Sequence, residues 1–206
     1  MSRLIALADI HGEVHKLNNL LNKLQPQLDD QLVFLGDYID RGYHSKKVID
    51  TLLKLSKTCQ CKFLMGNHCY NLLKAKDGNE YFMSQFLEYG GLQTIDSYGS
   101  FENIFKIHGE IFKQLKPYYL TDDYLFVHAG IRPDKPLEEQ EIEDLLFIRE
   151  NFYNHKHSLK QKVIFGHTSF KTPLLENDKI GIDLGVGKYD EAKLIAYICN
   201  EDRFVY

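Results

Sequence analysis

The chain has 206 residues, 44% of them hydrophobic, and a formal charge of −4. That length supports a core of its own and reads as one domain over residues 1–206. With no Lys/Arg-rich run a nucleic-acid partner is disfavoured, and no apolar stretch approaches the roughly 20 residues of a membrane span. Arg3–Ala8 is an apolar run that Asp9 ends too early for a signal peptide, so it reads as a first buried strand of a cytoplasmic protein. Val14, Leu17, Leu21 and Leu24 recur at helical spacing, and Pro26 blocks continuation. Gln31–Leu35 is the second strand. Ser45 is placed to cap a helix whose apolar face is Val48, Ile49, Leu52, Leu53 and Leu55. Lys62–Met65 is the third strand. This alternation implies right-handed crossovers and a parallel sheet, with the loops at one carboxyl edge, where open α/β sheets bind ligands.

Residues 70–117 carry a helical pattern divided by Gly90-Gly91. The aromatic residues Tyr81, Phe82, Phe86, Tyr89 and Tyr98 read there as core. Tyr124–Val127, Lys162–Phe165, Lys179–Ile182, Lys193–Ile198 and Arg203–Tyr206 read as strands, the last two forming a hairpin around Asn200-Glu201-Asp202. An acidic helix spans Glu138–Leu146. The strand-rich half suggests a second sheet. The expected class is α/β: two packed mixed β-sheets flanked by helices.

Five of these strands run into short polar loops. They carry Asp9 and His11; Asp37, Asp40 and Arg41; Asn67 and His68; His128; and His167. The end of a core strand has no structural need of His or Asp. Mixed imidazole, carboxylate and amide oxygens suit borderline divalent ions such as manganese, iron or zinc. A carboxylate shared by two ions would build a dinuclear centre. The cysteines fit no metal spacing. Cys59, Cys61, Cys69 and Cys199 read as free thiols of a reducing compartment.

The ordered motifs resemble the phosphoprotein phosphatase family of dinuclear, calcineurin-like metallophosphoesterases, in particular its small bacterial and phage-type members. Ala8-Asp9-Ile10-His11-Gly12, Gly36 to Gly42, Gly66-Asn67-His68-Cys69, His128-Ala129-Gly130 and Gly166-His167-Thr168 follow the family's order over almost the whole chain. The resemblance implies that fold, a four-layer sandwich, and two divalent metals, manganese first. Asp9, His11 and Asp37 would hold one ion. Asp37, Asn67, His128 and His167 would hold the other, with Asp37 as the bridge. His68, oriented and kept charged by Asp40, would be the general acid. Arg41 and Arg149 would grip the substrate phosphate together with Asn67, and Arg132 competes for the role of Arg149.

Three departures stand out. Cys69 replaces the family's Glu, Ala8 replaces Gly, and Leu184 replaces a Thr beside Asp183. A thiolate at Cys69, one residue past the expected acid, would be open to oxidation; the plainer reading is a buried inert thiol. His15, His44, His108, His155 and His157 lack strand-end contexts and read as surface residues. The implied activity is hydrolysis of phosphoserine or phosphothreonine in proteins by direct attack of a metal-bridging hydroxide, without a phosphoenzyme. A symmetrical diadenosine tetraphosphatase, or a related nucleotide or RNA-end hydrolase, shares the motifs. A non-catalytic phosphate-binding scaffold is the reading from another class. The partner is then a phosphoprotein or a small phosphorylated molecule, not a membrane.

Overall fold

The computed structural model describes residues 2–206. Two five-stranded mixed sheets pack face to face. The first runs in the order Arg203–Val205 (β10), Ala196–Ile198 (β9), Leu4–Leu7 (β1), Gln31–Phe34 (β2) and Gln60–Phe63 (β3). β1, β2 and β3 are parallel, with Leu4 opposite Gln31 and Gln31 opposite Gln60. The second runs Tyr118–Leu120 (β4), Tyr124–Val127 (β5), Lys162–Phe165 (β6), Lys179–Gly181 (β8) and Leu174–Leu175 (β7). β5, β6 and β8 are parallel.

Strand alternation divides the core into three layers, because successive side chains face opposite sides of a sheet. Ala6, Val33, Leu35, Phe126, Ile164 and Ile180 meet between the sheets. Ile5, Leu7, Leu32 and Phe34 face the helices Val14–Leu24 (α1), Ser45–Leu55 (α2) and Phe101–Gln114 (α6). Val127, Val163 and Phe165 face Ile142–Phe147 (α7) and Glu150–Tyr153 (α8). Between α2 and α6 in sequence come Asn67–Lys76 (α3), Glu80–Phe86 (α4) and Leu92–Tyr98 (α5). Each fully buried Leu, Ile or Phe contributes about 1.5–3 kcal/mol. Both faces of each sheet are therefore committed, and the free places for chemistry are the strand ends. No helix among the described residues is long and apolar enough to cross a membrane.

Several local expectations need correction. β9 and β10 form the expected hairpin but return to the first sheet, β9 lying antiparallel to β1. The third strand starts two residues earlier than expected, and Met65 already bonds Lys116. The acidic stretch breaks into a 3₁₀ turn, Leu137–Glu139, and α7. Leu20 rather than Leu21 is buried on α1. His44 occupies the cap position of α2; Ser45 is the first helical residue and turns inward instead. Of the aromatic stripe only Phe86 and Tyr98 are core, whereas Tyr81 and Tyr89 are exposed. His108 is buried between the Tyr98 hydroxyl and Asp50, because α6 kinks there. The ring of His157 is buried against Phe152.

Arg3 and Asp30 tie three elements together. The carboxylate of Asp30 accepts from the Arg3 backbone N–H (3.0 Å), from Arg3 Nε (3.1 Å) and from the Gln27 backbone N–H (2.8 Å). Arg3 also donates to the carbonyls of Leu24 and Gln25 at the end of α1, where unpaired helix carbonyls need donors. Burial alone would raise the Asp30 pKa, but Arg3 and Gln27 hold it below the usual carboxylate value. A depressed folded-state pKa adds stability above the unfolded value and loses it as pH falls through the folded one. Asp30→Asn should therefore lower stability by about 1–3 kcal/mol at pH 7. Urea titrations should show the gap to wild type closing below about pH 4; a gap independent of pH would contradict the charged role.

Candidate active site

The parallel strands send their following loops to one edge, so β1, β2, β3, β5 and β6 deliver Asp9, Asp37, Asn67, His128 and His167 to a common point. Asp9, His11, Asp37, Asp40, Asn67, His68, His128 and His167 are all buried. Eight described non-glycine residues have positive φ, and six of them are here: Asp9 (51°), His11 (46°), Asp37 (48°), Asp40 (71°), Arg41 (66°) and His167 (62°). Left-handed backbone costs an L-residue about 1–2 kcal/mol. Such strain concentrates where geometry serves chemistry. The strands lead straight into these turns, and glycines make room for them. A Cβ on Gly66 would collide with the Asp37 carboxylate, and one on Gly166 with that of Asp9.

Asp37 is the shared member of two groups. Ligand atoms of His11, Asp37 and His68 lie within 4.8 Å of one another, and so do those of Asp37, His128 and His167. His11 Nε2 stands 3.9 Å from Asp9 Oδ1 and 3.7 Å from Asp37 Oδ2. His128 Nε2 stands 3.4 Å from Asp37 Oδ2 and 2.9 Å from Asn67 Oδ1. His167 Nδ1 is 3.0 Å from the same Asn67 oxygen, while its buried Nε2 has no partner.

Tautomers support metal ligation. His11 Nδ1 donates to the Ile39 carbonyl (3.0 Å), and His128 Nδ1 to the Leu35 carbonyl (2.9 Å). Each Nε2 is thereby turned toward the cluster, the orientation metal-ligating histidines adopt. Asp9 is pushed well above the usual carboxylate pKa by burial and by Asp183. Burial works the same way on Asp37, but His128, His68 and His11 pull it well below. Burial, His68 and Arg41 lower the pKa of His11. Burial, His128 and Arg149 lower that of His167. Burial opposes charging of His128, yet Asp37 raises it to about 9. Crowded buried acids and bases, an orphaned imidazole nitrogen and a borderline donor set fit divalent metal ions.

His68 stands beside this cluster, its Nδ1 donating to Asp40 Oδ2 at 2.6 Å. Asp40 is itself held by Thr94. The Thr94 hydroxyl donates to Asp40 Oδ1 (2.6 Å) and accepts from the Asp40 backbone N–H (2.9 Å), with the Ser45 hydroxyl 3.0 Å away. Burial raises the Asp40 pKa, against the pull of His68 and Thr94. Neither Thr94 nor the inward turn of Ser45 has a sequence signal; Thr94 lies 54 positions from Asp40.

Arg41 spans the mouth, with Nη1 2.8 Å from His11 Nε2 and Nη2 3.1 Å from His68 Nε2. Its backbone N–H donates to Gly90, whose φ of 100° and bare Cα allow the close approach. The double glycine thus docks a helical turn on the Arg41 loop and leaves Tyr89, which sequence reading placed in the core, 6.2 Å from the His68 ring. Arg149 reaches the site, Nη1 donating to the His167 carbonyl (3.3 Å). Arg132 instead pairs with Asp144. Asp183 accepts from Ser169, which supplies a hydroxyl where Leu184 has none. Cys69 is fully buried, and burial with Asp37 and Asp40 raises its pKa well above the usual thiol value, in line with the plainer reading of an inert thiol and against the reactive one.

A family model for calcineurin-like phosphoesterases matches residues 2–204. The chain belongs to that family. An asymmetrical bis(5'-nucleosyl)-tetraphosphatase, PrpE of Oceanobacillus iheyensis, is 29% identical over 97% of this chain and 89% of its own length. A solved structure provisionally named a diadenosine tetraphosphatase superposes with a TM-score of 0.74 at 20% identity, covering 99% of this chain and 92% of that one. A serine/threonine phosphatase from Saccharomyces cerevisiae gives 0.65 at 18% identity over 88% of this chain and 67% of its own. The two structural likenesses show the fold.

The place of Asp37 in both candidate ion groups can be tested. Saturating manganese should raise the Tm of chelator-stripped protein by about 5–10 °C for each ion present at a hundred times its Kd. Asp37→Asn should lose most of this shift along with turnover. A full metal-dependent shift in the variant would remove Asp37 from the centre.

Proposed function

We propose that the protein hydrolyses the phosphoric anhydride of dinucleoside polyphosphates and cuts a tetraphosphate asymmetrically, into a nucleoside monophosphate and a nucleoside triphosphate. The observation that carries this is the relative named for that reaction, similar over 97% of the chain. The motifs of the centre are common to phosphatases and nucleotide hydrolases, so they leave the substrate open. The relative's name favours the anhydride over a phosphoprotein and asymmetric over symmetrical cleavage.

Asp9, His11, Asp37, Asn67, His128 and His167 are the residues that would hold two divalent ions, with manganese our first candidate. Such ions lower the pKa of a water and clamp phosphate oxygens for in-line displacement. Arg41 and Arg149 orient the phosphate under attack; their guanidiniums stay charged and bind oxyanions bidentately. A P–O bond forms to the water oxygen, and the bond to the bridging oxygen breaks. The electron pair leaves on the triphosphate product. His68 is the acid beside that oxygen, with its Nε2 toward the mouth and its Nδ1 fixed by Asp40. Thr94 fixes Asp40 in turn.

With manganese, kcat/KM should be higher for diadenosine tetraphosphate than for phosphoserine peptides, and the products should be ATP and AMP. Two ADP would show symmetrical cleavage, and a preference for peptides would return the protein to the phosphoprotein phosphatases. His68→Asn should cost about 10²–10⁴-fold in kcat on a phosphoserine peptide, whose alkoxide cannot leave unprotonated. The loss on the dinucleotide should be smaller, because a triphosphate is a far weaker base. Equal losses would contradict the acid role.

A further inference from the structure

The loop after Asp183 closes one side of the mouth. At Gly187 (φ 77°) the backbone runs so close to the site that a Cβ would stand 2.9 Å from the His11 side chain and 3.2 Å from that of Arg41. The next residue is Lys188. Its ammonium donates to Ser169 Oγ at 2.9 Å, and that hydroxyl donates to Asp183 at 2.7 Å. Ser169 lies two positions past His167. Lys188 forms no ion pair among the described residues; its one hydrogen-bond partner is a neutral hydroxyl. Lys188 is exposed, yet partial desolvation lowers its pKa, and the field it feels includes Arg41 and Arg149 against Asp183 and Asp9. It is a third cation on the rim of the same centre.

A cavity of about 670 Å³ opens on the far side of Ser169 and Tyr189. Tyr189 is 56% exposed, its ring seated where a side chain on Gly185 would collide with it. Phe170, Lys171, Lys193 and Tyr206 also line the space, with Glu191 its one acidic side chain. Small-molecule sites occupy roughly 300–1,000 Å³ and combine apolar walls with a few placed polar groups. Aromatic faces stack bases of any identity, and lysines neutralise phosphates as point charges. Gly187 packs against Arg41, Lys188 and Tyr189 are the next two residues, and Lys188 meets the cavity at their shared neighbour Ser169, an order that suits a polyphosphate chain ending in a nucleoside.

We infer that Lys188 and the cavity behind Ser169 and Tyr189 form a second subsite, which holds the distal phosphates and nucleoside of the leaving nucleoside triphosphate. This subsite rests on the proposed dinucleoside polyphosphate activity. It gives the asymmetric cut a cause: the longer product is gripped on one side while the reacting phosphate sits at the arginines.

The test compares diadenosine tetraphosphate with nitrophenyl phosphate, which has no distal phosphates, on the manganese-loaded full chain. Lys188→Met should raise KM for the dinucleotide about tenfold, the worth of one charge-assisted contact. The loss in kcat/KM on nitrophenyl phosphate should be at least fivefold smaller than that, about twofold or less. Lys188→Arg should recover most of the KM, and Tyr189→Ala should raise it in the same selective way. Equal losses on both substrates, or no loss on the dinucleotide, would overturn the subsite. If the wild type does not cleave the dinucleotide, the proposed function falls. The subsite is then read from ATP as an inhibitor of nitrophenyl phosphate hydrolysis: a Ki raised by Lys188→Met sustains it, and an unchanged Ki overturns it as well.

Discussion

Two buried carboxylates, Asp9 and Asp37, share one sheet edge, and the only cationic partners within salt-bridge distance of either among the described residues are histidines. Burying charge is costly unless it is paired or bound to metal. The surrounding structure is arranged to hold these acids in place. Parallel strands bring the loops to one edge, left-handed turns aim the side chains, and Gly66 and Gly166 give the backbone room beside the carboxylates. Backbone carbonyls at Ile39 and Leu35 fix two imidazoles with their Nε2 atoms inward. The strain and the charge repulsion both point to bound divalent cations as the balancing element.

How much of this is legible in the sequence follows from what each residue depends on. The strands and the residues directly after them are local: an apolar run, a glycine and a polar side chain stand within ten positions, so the edge could be read before the fold was known. Contacts set by tertiary packing are not local. Thr94 supports Asp40 across 54 positions, and Ser45 reads as a helix cap because capping depends only on near neighbours. The hairpin of β9 and β10 was legible, but its choice of sheet was not, since the edge of β1 and the second sheet offer equivalent hydrogen bonds. Tyr89 carried the composition of a core residue, and only the bend at Gly90 placed it outside. Cys69 illustrates the reverse case. Proximity to metal ligands offered a reactive thiol as one reading, and burial beside two acids favours the plainer reading, an inert one.

The centre itself does not choose a substrate. The proposed carboxylate bridge, acid and two arginines would serve a phosphate ester and an anhydride alike. On our proposal the choice would lie in the rim, where Phe147 stands T-shaped to His167, Tyr89 beside His68 and Lys188 beside Ser169. Exposed rings and a cation without a carboxylate partner suit a ligand with bases and several phosphates. The proposed reaction therefore rests on the relatives and the rim together, and the metal centre supplies the reactivity common to both classes.

The proposed position of Asp37 between two ions is open to direct observation. Crystals grown with manganese should give, at the manganese edge, two anomalous peaks roughly 3.5–4 Å apart. One should lie by Asp9 and His11 and the other by Asn67, His128 and His167, with the Asp37 carboxylate contacting both. A single peak would contradict the dinuclear centre, and two peaks that Asp37 does not contact would contradict its place as the bridge.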